Sequence, residues 1–225
     1  MSVGLRILRR ARKVSPEVVE RFRSLPVANV SDSMARMTAG GASLRPMHAG
    51  GGLAGPALTV KTRPGDNLMV HKALDVADAG DVLVVDAGGD LTNAIIGEIM
   101  SAYARQRGLA GIVINGAIRD ADSIRASAFP VFAAGVTHRG PYKDGPGEIN
   151  VPVAIDGMVI EPGDLVLGDG DGLLCIPYDA TTTVYALASE KQKVEARDID
   201  ASANGTLDRR WVDARLRQLG CEGIE

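Results

Sequence analysis

The sequence predicts an α/β protein in which a core of buried strands and helices joins a set of antiparallel strands, in one domain covering residues 1–225. Two runs, Asp81–Asp86 and Gly111–Asn115, are apolar throughout their interiors, which is typical of strands covered on both faces. A helical segment, Gly97–Arg107, lies between them. Short strands separated by Asp-Gly and Pro-Gly turns follow between Val151 and Pro177, and this pattern predicts a compact β meander.

Capping and turn residues define the other elements. Ser15 is a suitable N-cap and Pro16 occupies the first helical position, while Gly108 is placed to end the helix that begins at Gly97. The expected helices are Pro16–Leu25, Val30–Met37, Met69–Ala77, Gly97–Arg107, Ser123–Ala128 and Thr181–Ile199. The expected strands are Ala57–Thr62, Asp81–Asp86, Gly111–Asn115, Val131–Ala134, Val153–Ile155, Met158–Ile160, Leu165–Leu167 and Gly172–Ile176.

The net charge, the length of the apolar runs and the positions of the cysteines argue against several classes of protein. The formal net charge of −3 gives no long-range attraction for nucleic acid, and the one basic run, Arg6–Lys13, is expected to be a frayed tail or a first helical turn. No stretch has the eighteen or more apolar residues that a membrane helix needs, so no membrane partner is expected. Cys175 lies in a predicted buried strand and Cys221 in the C-terminal tail, which favours reduced thiols in a cytoplasmic protein.

The segment after Ile199, about residues 200–225, is either a tail or a helical arm that docks on a neighbouring subunit. Its tryptophan, Trp211, favours docking, because a large aromatic side chain is seldom retained where it has nothing to contact.

Residues 97–120 contain the strongest functional signal. The first N–H groups of a helix starting near Gly97 have no intrahelical partners and would suit a carboxylate or phosphate, although Gly97 is equally consistent with tight helix–sheet packing. Arg119 and Asp120 follow a buried strand, where ligand sites of α/β sheets gather, but a simple loop ion pair is the alternative. The Asp120 carboxylate would suit Mg²⁺ or Mn²⁺, with Glu98 holding one of the metal's waters.

Other kinds of site have weaker support. The three histidines, His48, His71 and His138, lack zinc-ligand spacing, and the glycine-rich run that begins at His48 is expected to be a flexible turn. A Schiff-base aldolase would need a buried lysine, and Lys61 and Lys72, the two near apolar segments, are expected to be surface residues.

The run from Gly97-Glu98-Ile99-Met100 through GLAGIVINGAIRD resembles the RraA-like family, which includes class II aldolases of the 4-hydroxy-4-methyl-2-oxoglutarate/4-carboxy-4-hydroxy-2-oxoadipate type and regulators of ribonuclease E. The similarity extends to VANVSDSM near the N-terminus, to Gly65-Asp66-Asn67, to Pro162-Gly163-Asp164 and to the GDGDG run that starts at Gly168. It covers nearly the whole chain. The resemblance implies an α-β-β-α sandwich with a swivelling β/β/α domain and a C-terminal helical arm, assembled as a homotrimer or homohexamer with active sites between subunits.

The resemblance also implies residue roles. The backbone of the segment Gly97, Glu98, Ile99 and Met100 would bind the pyruvyl carboxylate of the substrate, Arg119 its keto oxygen, and Asp120 the metal. Asp32 and Glu195 would be acids donated by a neighbouring subunit, with Glu190 as an alternative to Glu195. Glu98 stands where Asp is frequent, and Asn115 where Asp is frequent.

The implied function is a divalent-metal-dependent class II aldolase, a carbon–carbon lyase that cleaves 4-hydroxy-2-oxo acids to pyruvate and a second oxo acid. Oxaloacetate decarboxylation is expected as a side activity, since it passes through the same pyruvate enolate. The alternative is a non-catalytic regulator that binds a ribonuclease through its surface.

Overall fold

The computed structural model describes residues 4–37 and 42–224. Its strands are β1 Leu5–Ile7, β2 Arg45–Pro46, β3 Leu53–Thr62, β4 Val82–Asp86, β5 Ala94–Ile96, β6 Gly111–Ile118, β7 Val131–Val136, β8 Gly147–Ile149, β9 Val153–Ile155, β10 Met158–Ile160, β11 Leu165–Asp169 and β12 Gly172–Ile176. Its α-helices are α1 Pro16–Phe22, α2 Val27–Ser33, α3 Leu68–Val76, α4 Glu98–Gln106, α5 Ala121–Arg125, α6 Thr181–Ala203 and α7 Arg210–Gln218. The predicted α/β class is confirmed.

A parallel group of strands, in the order β3-β4-β6-β7, forms the centre of a ten-stranded sheet. The long strand β3 belongs to two parts of this sheet. Its first half, Leu53–Pro56, pairs antiparallel with β11, and its second half, from Ala57 onward, pairs parallel with β4. As a result β11 and β12 leave the central group and form a second β layer.

Alternating side chains of the central strands enter different cores. In β4, Leu83 and Val85 pack with helices α3 and α4, whereas Val82 and Val84 pack toward β9, β10 and β12. A third core joins the outer face of β11 and β12 to α1, α2 and α6, with Phe22 among its fully buried side chains. The layers therefore run helix, sheet, sheet, helix, as the family resemblance implies.

The expectation of one β meander between residues 151 and 177 is wrong. Strands β9 and β10 form a separate two-stranded sheet, while β11 pairs with β12 and with β3. The turn between β10 and β11 explains the break, because Gly163 N–H donates to the Ala57 carbonyl (2.9 Å) and the Gly163 carbonyl accepts from Val14 N–H (3.0 Å). These two bonds direct β11 to β3 instead of to β10.

The basic run Arg6–Lys13 is neither a frayed tail nor a helical turn. Residues Leu5–Ile7 form a strand parallel to β8, and in the following segment Arg10, Arg12 and Lys13 are paired to carboxylates. The guanidinium of Arg10 lies 2.9 Å from the carboxylate of Asp81, which is fully buried. We call the segment Arg6–Lys13 the strap. Sequence patterns missed it because its partners lie more than sixty residues away.

Two further expectations, the start of helix α2 and the flexibility of the run at His48, are corrected by the structure. Helix α2 begins at Val27 instead of Val30, because Val27 N–H donates to a carboxylate from a distant hairpin, Asp169 (3.0 Å). The run at His48 is ordered, since the buried His48 ring bonds the backbone of Val131, and β3 begins soon after it at Leu53. In the described ranges no helix is long and apolar enough to cross a membrane.

The Arg10–Asp81 pair generates a stability prediction. Replacing Arg10 with Ala leaves the buried Asp81 carboxylate with only the Lys13 ammonium as a nearby cation, at 3.9 Å and without a hydrogen bond, and the free energy of unfolding is expected to fall by up to about 3 kcal/mol. Chemical denaturation measures the change. Arg9→Ala is the matched control, because Arg9 is exposed and has no ion pair in the described part of the chain, so an equal loss in both variants would contradict the assignment.

Candidate active site at the end of strand β6

Strand β6 brings two distant segments together at its carboxyl end. It continues to Ile118, three residues beyond its predicted end, so Arg119 and Asp120 follow it directly. The short strand β5, which sequence patterns missed, lies beside this end and leads into Gly97. Arg119 N–H donates to the Ile96 carbonyl (3.0 Å), which fixes the two segments side by side.

The surroundings of Gly97 leave no room for a Cβ atom unless neighbouring side chains move. A Cβ atom at this position would clash with Asp120 Oδ2 and lie 3.0 Å from Arg119 Cγ. The Gly97 backbone is extended (φ −146°, ψ −160°), which any residue can adopt. The glycine packs closely against the side chains of the two candidate site residues, and binding of an anion at the start of the helix stays a prediction.

Asp120 holds an unusual backbone conformation. It is left-handed (φ 56°, ψ 41°), a region that aspartate tolerates better than most residues. Its Oδ2 accepts a hydrogen bond from Glu98 N–H (2.9 Å), while Arg119 Nε lies 3.8 Å away. Among the described residues Oδ1 has no hydrogen-bond or ion-pair partner, and the side chain is 41% exposed. One carboxylate oxygen is therefore available to a ligand.

The start of helix α4 has fewer free donors than the sequence suggests. Asp120 occupies the N–H of Glu98, which leaves the N–H groups of Ile99 and Met100 without an acceptor in the described chain. Two adjacent free donors and the positive end of the helix still suit an anion. The Glu98 side chain is exposed and lines a separate pocket of about 100 Å³ together with Ser101 and Arg105.

Arg119, Asp120 and the two residues that carry the free N–H groups, Ile99 and Met100, line one cleft of about 260 Å³. Three of its polar side chains were missed as site residues: Asn67, His71 and Lys143. Asn67 is buried, its Nδ2 donates to the Ile95 carbonyl (2.8 Å), and its Oδ1 has no partner. The only sequence signal for this part of the cleft was the Gly65-Asp66-Asn67 motif. The lining residues are Asn67, His71, Ile95, Ile96, Gly97, Ile99, Met100, Arg119, Asp120, Gly140, Pro141 and Lys143.

Asp32 and Glu195 both contact Lys191, and neither lines this cleft. Lys191 Nζ lies 3.1 Å from Asp32 and 3.0 Å from Glu195, so one ammonium joins helices α2 and α6. The hydrogen bond that Lys191 donates to Asp32 lowers the pKa of Asp32, and the one that Lys191 donates to Glu195 raises the pKa of Lys191. Glu190 instead pairs with cations of its own helix, Lys193 and Arg197. No hydrogen bond or ion pair in the described ranges connects this group to the cleft, and its approach from another subunit stays a prediction.

The donor set suits a hard cation that keeps most of its waters. No cluster of three or more His, Cys, Asp or Glu side chains that could hold a metal occurs in the described ranges. Asp120 offers a single free carboxylate oxygen at a solvent-accessible position. Mg²⁺ is bound in this way in many enzymes, through one or two carboxylates together with the substrate, whereas a structural zinc site needs four protein ligands.

The fold and the cleft together define a class: an α/β protein with helix N–H groups, an arginine and a carboxylate at the end of a parallel strand. A family model described as RraA-like, Aldolase/RraA, matches residues 27–175, and the chain belongs to this family. A relative from Halalkalibacterium halodurans, named as a proposed 4-hydroxy-4-methyl-2-oxoglutarate aldolase, is 39% identical over 89% of this chain and 96% of its own length.

Solved structures agree with the family assignment. An uncharacterized protein from Pseudomonas syringae pv. tomato has a TM-score of 0.78 and 27% identity, covering 86% of this chain and 95% of that one. The RNA-processing inhibitor RraA from Thermus thermophilus has a TM-score of 0.63 and 33% identity, covering 68% and 92%. The family thus contains proteins named as aldolases and a protein named as an inhibitor.

Gly97 provides a test of the site's geometry. Gly97→Ala is expected to displace the Asp120 and Arg119 side chains, because the added methyl group occupies their space. The distance change is measurable in a crystal structure of the variant. Gly170→Ala is the control, since a Cβ at Gly170 meets nothing within 4 Å. Unmoved Asp120 and Arg119 side chains in Gly97→Ala would contradict the packing argument.

Proposed function

We propose that the protein is a divalent-metal-dependent class II aldolase that cleaves 4-hydroxy-2-oxo acids, of the 4-hydroxy-4-methyl-2-oxoglutarate or 4-carboxy-4-hydroxy-2-oxoadipate type, to pyruvate and a second oxo acid. The observation that carries the proposal is the convergence of Arg119, Asp120 and the free N–H groups of Ile99 and Met100 on one cleft. The names of the relatives support the same reaction class.

The cleft residues match the parts of a 2-oxo acid. The N–H groups of Ile99 and Met100 would hold the carboxylate at the helix terminus. The Arg119 guanidinium would contact the keto oxygen, where negative charge develops as the carbon–carbon bond breaks and the pyruvate enolate forms. A fixed cation at that oxygen stabilises the transition state more than the ground state.

Asp120 would hold the divalent metal, Mg²⁺ or Mn²⁺, through its free oxygen. When bound, such a cation supplies Lewis-acid stabilisation of the developing enolate charge. The hydrogen bond that Glu98 N–H donates to the other Asp120 oxygen would fix the orientation of the carboxylate for metal binding.

Cleavage also requires removal of the proton from the C4 hydroxyl group. Glu98 would act through a water molecule, or Asp32 and Glu195 would supply the base from an adjacent subunit of a homotrimer or homohexamer. Oxaloacetate decarboxylation is the proposed side activity, because loss of CO₂ from that acid leaves the same enolate.

The RNA-processing inhibitor from Thermus thermophilus motivates a second candidate, a regulator that binds a ribonuclease. Such a role would use the outer surface and would need neither Asp120 nor a metal. Stoichiometric binding of a ribonuclease, together with no pyruvate release from any 4-hydroxy-2-oxo acid or from oxaloacetate, would favour this candidate over the aldolase.

The Asp120→Asn variant tests metal binding and carbon–carbon bond cleavage together. The amide retains the shape and tolerates the left-handed backbone but removes the charge, so pyruvate release is expected to fall about 10²–10³-fold without rescue by added Mg²⁺. A coupled pyruvate assay with 4-hydroxy-2-oxo acids measures the loss.

Asp122→Asn is the matched control, because Asp122 is fully exposed two residues away and its activity is expected to stay normal. Treatment of the wild-type protein with a chelator is expected to abolish pyruvate release, and added Mg²⁺ or Mn²⁺ to restore it. Full activity after exhaustive chelation would refute metal dependence.

A further inference from the structure

We propose that Lys191 is a positioning residue for proton transfer. Anchored by Asp32, it orients the Glu195 carboxylate so that one free oxygen accepts the C4 hydroxyl proton in the cleft of a neighbouring subunit. The inference rests on the proposed function, because it assumes that the protein cleaves a 4-hydroxy-2-oxo acid with acids from an adjacent subunit. It adds the residue that prepares those acids for the reaction, and it gives the two acids different roles.

One ammonium group joins the two acids. Lys191 Nζ lies 3.1 Å from Asp32 Oδ2 and 3.0 Å from Glu195 Oε1. These two carboxylate oxygens are therefore no more than 6.1 Å apart, which is the sum of their distances to the same nitrogen. Two carboxylates at such a separation repel each other unless a cation lies between them. Lys191 supplies that cation, so the two acids stay close together while both are ionised.

The two acids differ in what their second oxygens contact. Asp32 Oδ1 lies 2.8 Å from the Arg36 guanidinium, so cations of its own chain use both oxygens of Asp32. Glu195 contacts Lys191 through Oε1, and no other side chain in the described ranges forms a hydrogen bond or ion pair with its carboxylate. Its side chain is also the more exposed, at 43% against 30% for Asp32. Glu195 Oε2 is therefore the available proton acceptor, and Asp32 is the anchor of Lys191.

The helices that carry these side chains pack against each other in a buried core. Val30 of α2 and Ala188 of α6 are fully buried in it, and Ala188 lies one turn before Lys191. Directly after Lys191, Gln192 Nε2 donates to the Ser24 carbonyl (3.0 Å). Because close-packed side chains resist displacement, the backbone of Lys191 is held in place and its mobility is confined to its side chain.

Exposed apolar side chains lie both beside Glu195 and at the cleft. Val194 and Ile199, within about one turn of Glu195 on α6, are exposed, and Ile99 at the cleft is 81% exposed. Apolar surface of this kind gains free energy when it is removed from water. The two surfaces therefore fit burial against each other between two copies of the chain.

The charges of the two surfaces are complementary. The cleft is lined by two cations, Arg119 and Lys143, and by one acid. Lys143 belongs to an anchored segment, since the buried Asp66 carboxylate accepts two N–H groups from residues 144–145, at 2.8 and 2.9 Å. A carboxylate from Glu195 of a second copy meets net positive charge in this cleft, which favours its approach.

Proton transfer to Glu195 accounts for the cleavage step. The C4 hydroxyl group gives its proton to Oε2 of Glu195, and its oxygen becomes the carbonyl oxygen of the second oxo acid. The bond between C3 and C4 breaks, and its electron pair forms the pyruvate enolate beside Arg119. Lys191 takes no proton and touches no substrate, so its effect passes entirely through Glu195.

Steady-state pyruvate release from a 4-hydroxy-2-oxo acid in the presence of Mg²⁺ tests the role of Lys191. Lys191→Met keeps the length of the side chain and removes its charge, and kcat is expected to fall about tenfold to a hundredfold. KM is expected to stay unchanged, because the groups that hold the substrate carboxylate and keto oxygen are untouched. Lys191→Arg keeps the cation and is expected to recover most of kcat. Lys193→Met is the matched control, because Lys193 lies on the same helix and pairs with Glu190.

A double variant tests whether Lys191 acts through Glu195. Glu195→Gln removes the proton acceptor, so adding Lys191→Met to it is expected to cause no further loss of kcat. Losses that multiply in the double variant would overturn the proposal. A wild-type kcat in Lys191→Met, or an equal loss in Lys193→Met, would overturn it as well.

Mixed assemblies test whether Lys191 and the cleft act from different chains. Co-expressed Asp120→Asn and Lys191→Met chains are expected to regain about a quarter of the wild-type activity, because that share of the sites combines an intact cleft with an intact acid group. Co-expressed Glu195→Gln and Lys191→Met chains are expected to stay at the level of the separate variants, since both changes damage the same group. Absence of recovery in the first mixture would contradict the proposal.

A crystal structure of Lys191→Met tests the positioning without turnover. The Asp32 and Glu195 carboxylates are expected to separate in it, and carboxylates that keep their wild-type positions would refute the positioning. Failure of the aldolase proposal gives a different result. Wild-type protein that releases no pyruvate from any 4-hydroxy-2-oxo acid refutes the aldolase and the proton-transfer role with it, whereas an active wild type with an unaffected Lys191→Met variant refutes the role of Lys191 alone.

Discussion

The hydrogen bond between Glu98 N–H and the Asp120 carboxylate is the contact on which the candidate site depends. It joins the start of helix α4 to the end of strand β6, and it forms only because Gly97 has no side chain between them. The same bond uses one carboxylate oxygen and leaves the other free. This one contact therefore places the helix N–H donors, the Arg119 guanidinium and the free oxygen of Asp120 next to each other.

The two β layers make this contact possible. Strand β3 pairs with β11 along its first half and with β4 along its second half, so the central parallel strands gain a helical layer on one face and a β layer on the other. The central strands are then buried on both faces, and their carboxyl ends form one rigid edge. A loop at such an edge can retain a left-handed aspartate because its neighbours do not move.

The central strands and most helices were predictable because their signals are local. Uninterrupted apolar runs gave β4 and the first part of β6, and a proline and a glycine marked helix ends. The strap at Arg6–Lys13 and the earlier start of α2 were not predictable, because each depends on a carboxylate far away in the chain. The separate pairing of β9 with β10 likewise depends on bonds that the turn at Gly163 makes to distant segments.

The residues of the candidate site also divide into those that the sequence predicted and those that it missed. Gly97, Arg119 and Asp120 lie within one 24-residue stretch whose strand and helix were recognisable, so their proximity followed from the βα pattern. Asn67, His71 and Lys143 are spread over nearly eighty residues, and no spacing rule relates them. Lys191, which joins Asp32 to Glu195, was also missed, since a lysine within a charged helix has no distinctive pattern.

The anchoring of residues 142–145 through Asp66 has a consequence for substitutions at Lys143. The segment that carries Lys143 makes its fixed contacts with residues 65–68, and the segment that carries Arg119 and Asp120 makes its own with residues 96–98. Because the two anchors are separate, a substitution at residue 143 is expected to leave the backbone of the segment that carries Arg119 and Asp120 in place.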